Sequence, residues 1–94
     1  MSQKTEQPDE LVITLKKPVE FKGQSYDQLV LREPTAGEWR EILKKPEDDQ
    51  RTFCVALVSG VPEGAVLQIG IGQVVEAEEF IVGFYRAARK TGVS

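Results

Sequence analysis

Histidine is absent from this chain, and cysteine, methionine and tryptophan occur once each. Without an imidazole there is no Ser-His-Asp or Cys-His pairing, no His metal site and no side chain of the usual general-base kind near neutral pH. The lone Cys54 cannot close an intrachain disulfide, which suits a reducing compartment. As a nucleophile it lacks an activating base, and its place inside an apolar run marks it as core. No apolar run approaches the roughly 20 residues that a membrane-spanning helix needs. An excess of positive charge is missing too: 12 Lys and Arg stand against 15 Asp and Glu, a net charge of −3. Nucleic acid is therefore not an expected partner, because phosphate binding needs a clustered positive field. The opening residues are polar and include Pro8, Asp9 and Glu10, so a secretory leader is not expected.

What is present fits one small domain. A chain of 94 residues buries roughly 60–65% of its unfolded surface, so the core is modest. Residues 1–10 hold no apolar anchor after Met1 and read as a disordered tail. The folded domain is expected over residues 11–90, with 91–94 as a frayed C-terminus.

From Leu11 the residues alternate: Leu11, Ile13 and Leu15 on one side, Val12 and Thr14 on the other, which is strand periodicity. Lys16-Lys17-Pro18 interrupts the run, and proline confines this strand to an edge with a kink. Val19 and Phe21 resume the alternation. Lys22-Gly23-Gln24 is a turn signal, and Tyr26 to Leu31 forms the return strand. Tyr26 is offset from Leu29 and Leu31, which suggests a bulge near Asp27 or Gln28. A hairpin alone is marginal in water and must lay its apolar face on helices.

Helical spacing takes over after Pro34. Thr35 stands three residues ahead of Glu38, a capping box that starts a helix over 36–44. Its stripe is Trp39, Ile42 and Leu43. Trp39 and Tyr26 read as packing between hairpin and helix. A second helix over 47–59 is apolar throughout Phe53 to Val58, the pattern of a central core helix. Gly60 fits its C-terminal cap, and Val61-Pro62 its stop. Residues 62–68 hold at most one helical turn. The last helix is expected over 72–90, with Ile71, Val74, Ala77, Ile81, Phe84 and Ala88 as its principal stripe. The segregation of strands before helices makes the fold class α+β: an N-terminal β-hairpin with three to four α-helices packed on it.

No constellation here supports chemistry. Gly70-Ile71-Gly72-Gln73 lacks both the third glycine of a dinucleotide fingerprint and the Lys-Ser/Thr ending of a P-loop, so it reads as a link. Glu47-Asp48-Asp49 lacks the spacing of an EF-hand and suits a helix start. Glu76, Glu78 and Glu79 read as a solvated helix face. Lys16-Lys17, Lys44-Lys45 and Arg86/Arg89/Lys90 are scattered and lack interleaved aromatics. No catalytic residue, metal ligand or cofactor is expected. One feature exceeds what a small core needs. The last helix carries Val75 and Val82, seven apart on a second side, with Phe80 and Tyr85 near its edges. A lone surface helix usually shows one apolar stripe and a polar back. Such width implies either deep burial, with the hairpin and the second helix flanking this helix completely, or a docking patch. On the second reading the candidate partner-binding residues are Val75, Glu78, Val82, Tyr85 and Arg86, in a helix-to-helix mode.

The densest pattern is the strand-to-helix seam, Leu31-Arg32-Glu33-Pro34-Thr35 followed by Gly37-Glu38. With Ile13-Thr14-Leu15, Pro18, Gly23, Tyr26 and Leu29 ahead of it, and the order of helices behind it, the chain resembles the tail assembly chaperones of Mu-like and P2-like contractile-tailed phages. The resemblance covers residues 11–88. Family members often carry Asp where Gln73 stands, which implies a weaker helix cap here. The resemblance implies a protein that is not an enzyme and binds the tape-measure protein, keeping it soluble while the tail tube assembles in the host bacterial cytoplasm. It also implies, as further partners, a frameshifted longer form of the chain itself and the tail tube protein, with a homo-oligomer in view. The alternatives are a structural tail or baseplate component and a small regulatory nucleic-acid-binding protein.

Overall fold

Apolar alternation before Pro34 and helical spacing after it produce one hairpin and four helices in the computed structural model, which describes residues 8–93 with side chains through Arg89. The elements are β1 (Glu10–Phe21), β2 (Gln24–Arg32), α1 (Ala36–Lys44), α2 (Glu47–Ser59), α3 (Glu63–Val66) and α4 (Ile71–Val93). This is the α+β arrangement expected, hairpin first. Of the N-terminal tail, residues 1–7 lie outside the described residues, and Glu10 already belongs to β1. At the other end α4 runs to Val93, beyond the boundary expected at Lys90.

The hairpin closes on two residues, Lys22 (φ 51°) and Gly23 (φ 81°), between the paired Phe21 and Gln24. Positive φ at both centres gives a mirror-image turn whose twist matches that of the strands. Gly23 takes that geometry freely, whereas Lys22 is a side-chain-bearing residue in a region that costs it energy. Pairing of Ile13 with Leu29 and of Leu11 with Leu31 places the large aliphatics on the inner face. Val12 opposite Val30 stands on the outer face, and both are exposed.

The irregularity in the ladder is where the Tyr26 offset points, but the surplus residues are in the other strand. Thr14 pairs with Gln28, and the next pair is Val19 with Tyr26. Leu15 to Pro18 therefore face Asp27 alone. The bulge belongs to β1, not to β2 near Asp27 or Gln28, and the reason is Pro18, which has no N–H to give to a ladder.

Gln73 holds this bulge in place. Its side-chain amide donates to the Thr14 carbonyl at 2.9 Å, and its Oε1 accepts from the Lys16 N–H at 3.0 Å. A carboxamide offers a donor and an acceptor side by side, as a neighbouring strand does. Gln73 is thus no substitute for a capping Asp: it lies inside α4, which begins at Ile71, and serves the hairpin instead.

The core lies between the inner sheet face and the helices, α2 and α4 giving most of it and Ile42 of α1 and Ala65 and Val66 of α3 the rest. Leu29, Leu31, Val55, Val66 and Ile81 are its largest fully buried side chains. On α2, Cys54, Val55 and Val58 are buried while Phe53, Ala56 and Leu57 are half-buried, as a central helix requires. Gly60 ends α2 at φ 78°, its N–H donating to the Ala56 carbonyl at 2.9 Å, the left-handed close that glycine provides. Phe21, at the hairpin tip, lays its ring on Gly64 where a β-carbon would otherwise stand.

Two stripes are shorter than their periodicity implies. On α4, Val74, Ala77 and Ile81 are buried, but Ile71 is 66% exposed and Ala88 is also exposed. A helix of 23 residues is about 35 Å long at 1.5 Å per residue. The 13-residue α2 spans only about 20 Å by the same rise, so α4 overhangs its neighbours. On α1, Ile42 is buried and Trp39 half-buried, while Leu43 is 56% exposed. In this nine-residue helix Ile42 is the buried position.

Candidate functional site

The seam between hairpin and helices is locked by charge. Pro34 directs the chain out of β2, and Thr35, in extended geometry, caps α1. Its Oγ1 accepts from the Glu38 N–H at 3.1 Å, and Glu38 Oε1 accepts from the Thr35 N–H at 2.9 Å. That is the complete capping box its spacing implies. Arg32 adds a second layer: Nη1 donates to Glu38 Oε1 at 2.8 Å and Nη2 to Oε2 at 2.9 Å. The fork-to-fork pair fixes both planes at once. The Arg32 hydrogen bonds, reinforced by the Thr35 N–H and opposed by partial burial, hold the Glu38 carboxyl at about 2, below the usual carboxylate range. The same pair raises the Arg32 pKa. Gly37 has no steric duty there: a β-carbon would meet only Thr35 Oγ1, at 3.9 Å.

Beside the seam α4 passes over α1. The Trp39 and Tyr85 rings stack, 5.1 Å between centroids and 21° between planes. Trp39 thus packs against the last helix as well as the core, where the sequence suggests hairpin-to-helix packing. The Arg89 guanidinium donates to the Tyr85 hydroxyl at 3.2 Å. Pro34, Thr35, Trp39, Phe84, Tyr85 and Ala88 line an open groove of about 230 Å³. The motif residues Glu33, Pro34 and Thr35 and the candidate Tyr85 therefore border one feature, a convergence that sequence spacing alone does not reveal.

The five candidate partner-binding residues occupy different situations. Val75 and Val82 are half-buried, and Tyr85 is 42% exposed despite its stack. Glu78 is engaged inside the molecule: Arg51 of α2 donates to its carboxylate at 2.7 Å. Arg86 is exposed and has no ion-pair partner among the described residues. Ile71 and Leu67, each 66% exposed, extend the apolar surface toward the N-terminal end of α4. Ile71 goes unnoticed in the sequence as an open residue because its spacing fits the buried stripe.

Burial pushes the Cys54 thiol up to about 12, with the Glu78 charge adding to the shift, so it is not a thiolate at neutral pH. Among the described residues no three Asp, Glu, Cys or His side chains group as metal ligands. Nor is any helix among them long and apolar enough to cross a membrane.

Against this geometry, comparison with known proteins is specific in one respect. The family described as "Phage tail assembly chaperone proteins, E, or 41 or 14" matches residues 12–86, from the first strand to the middle of α4. No curated protein and no solved structure matches the chain. The matched span takes in the hairpin, the charge-locked seam and the half-open face of the last helix, and the chain belongs to the phage tail assembly chaperone family.

Proposed function

We propose that the protein binds the tape-measure protein of a phage tail and keeps it soluble in the host cytoplasm while the tail tube assembles. It acts by binding and not by catalysis. The carrying observation is the second side of α4, where Val75 and Val82 are only half-covered and Tyr85 remains 42% exposed. A small protein gains nothing in its own stability from leaving such residues wet, since apolar area in water costs about 25 cal/mol per Å². A helical client with apolar stripes of its own recovers that energy by docking there, side by side with α4. Several copies along one long client hold it through effective concentration, each contact being weak. The groove at Pro34, Trp39 and Tyr85 gives an aromatic anchor point at the end of the face. A frameshifted longer form of the chain and the tail tube protein are the further partners this reading accommodates.

A pull-down with the tape-measure protein tests the surface. Val75→Asp/Val82→Asp is expected to retain the helical circular dichroism of the wild type and to lose most of the captured client. Undiminished capture by a folded double variant would remove α4 from the contact.

A further inference from the structure

The exposed charges of α4 are divided along its length. Glu76 and Glu79 are exposed in its N-terminal half, and Arg86 and Arg89 in its C-terminal half. The macrodipole accounts for charges only in the first and last turns, and Glu79 and Arg86 lie inside those limits. They are seven residues apart, on the side of the helix that carries Val75 and Val82. Neither has an ion-pair partner among the described residues. Within the helix each has a like-charged neighbour three residues away, Glu76 for Glu79 and Arg89 for Arg86, a spacing that costs energy in isolation. The same stretch therefore holds two unpaired opposite charges either side of a half-covered Val82.

Such a surface complements itself in one orientation. We infer that the α4 helices of two copies of this chain pair antiparallel across a two-fold axis beside Val82 and Gly83, with Glu79 of each copy against Arg86 of the other. Two-fold pairing presents the same patch from both sides. Antiparallel alignment about that midpoint sets the acidic half of one helix against the basic half of the other. A parallel alignment would set acid on acid and base on base. The two Val82 side chains meet near the axis, and Gly83 beside them adds no bulk between the helices. The dimer covers Val82 and Arg86, so a second copy and the proposed client exclude each other on this face of α4, and the test uses the chain without any client.

Sedimentation equilibrium of the purified full-length chain, without any partner, tests it. The wild type is expected to dimerise as its concentration rises, and more weakly at high salt because the pairs are exposed. Glu79→Arg and Arg86→Glu are each expected to weaken association at least tenfold, since each sets like charges face to face. The double variant Glu79→Arg/Arg86→Glu is expected to restore it, because the exchanged charges again meet as opposites. A wild type that stays monomeric at every concentration overturns the inference. So do single variants that dimerise as before, or a folded double variant that fails to recover. If a single variant does not fold, Val82→Cys decides: oxidation must link two copies through this residue, and absence of the link contradicts the axis.

Discussion

Glu38 carries more of the local structure than its half-buried position suggests. Its carboxylate accepts from Arg32 twice and from the Thr35 N–H once, so removing its charge weakens cap and fork together. Glu38→Gln is expected to lose about 0.5–1 kcal/mol at pH 7, the range of a well-formed surface pair. The pH dependence has a definite sign. Folding lowers the Glu38 pKa from its ordinary value of 4.5 to about 2. Its contribution is therefore fully present above pH 5 or so, and is lost as the pH falls toward 2. Urea denaturation of wild type and Glu38→Gln at a series of pH values should show the two curves converge on acidification. Gly37 is the contrasting case in the same motif. With only Thr35 Oγ1 near its missing β-carbon, at an ordinary contact of 3.9 Å, Gly37→Ala is expected to raise stability by about 0.4–1 kcal/mol through the unfolded chain. A shift of the urea midpoint upward checks it. A Gly37→Ala chain that is stable yet fails in tail assembly would locate a partner's backbone at this point.

At the scale of elements, the local rules were readable and the long-range ones were not. The capping box at Thr35 and Glu38, the left-handed close at Gly60 and the turn at Lys22-Gly23 each depend on residues within a few positions of one another, and all are legible in the sequence. The stripe of α4 was readable only where neighbours reach it, because periodicity gives a face but not how much of the face is covered. Ile71 and Ala88 fit the period and still stand in solvent. The bulge lies in β1, not in β2, for a related reason: Tyr26 reveals a break in alternation, but which strand holds the surplus depends on pairing across the hairpin. Gln73 was invisible as a clamp because its partners, Thr14 and Lys16, are nearly sixty positions away. Gln73→Ala removes both bonds to that backbone and is expected to cost about 1–2 kcal/mol, with faster amide exchange at Lys16. Gln73→Asp is expected to recover no more than part of this, since a carboxylate cannot donate to the Thr14 carbonyl. Equal stability of all three proteins would show that the bulge holds itself.

For the whole molecule, the division of labour follows from which surfaces are finished. The inner sheet face and the four helices close a core in which no polar or charged side chain is buried among the described residues, and Arg51 with Glu78 ties α2 to α4 across its rim. The overhanging parts of α4 and the groove beside Trp39 are not closed. Which open residues would remain depended on the lengths of neighbouring helices, so the sequence named Val75, Val82 and Tyr85 but could not grade their exposure. The central claim, a chaperone that lends this surface to a tape-measure protein, is tested most directly by expressing the tape-measure protein with and without this chain and measuring its soluble fraction after centrifugation. The account predicts that most of the tape-measure protein is soluble with the chain and aggregated without it. A soluble fraction that does not change with the chain present would contradict it.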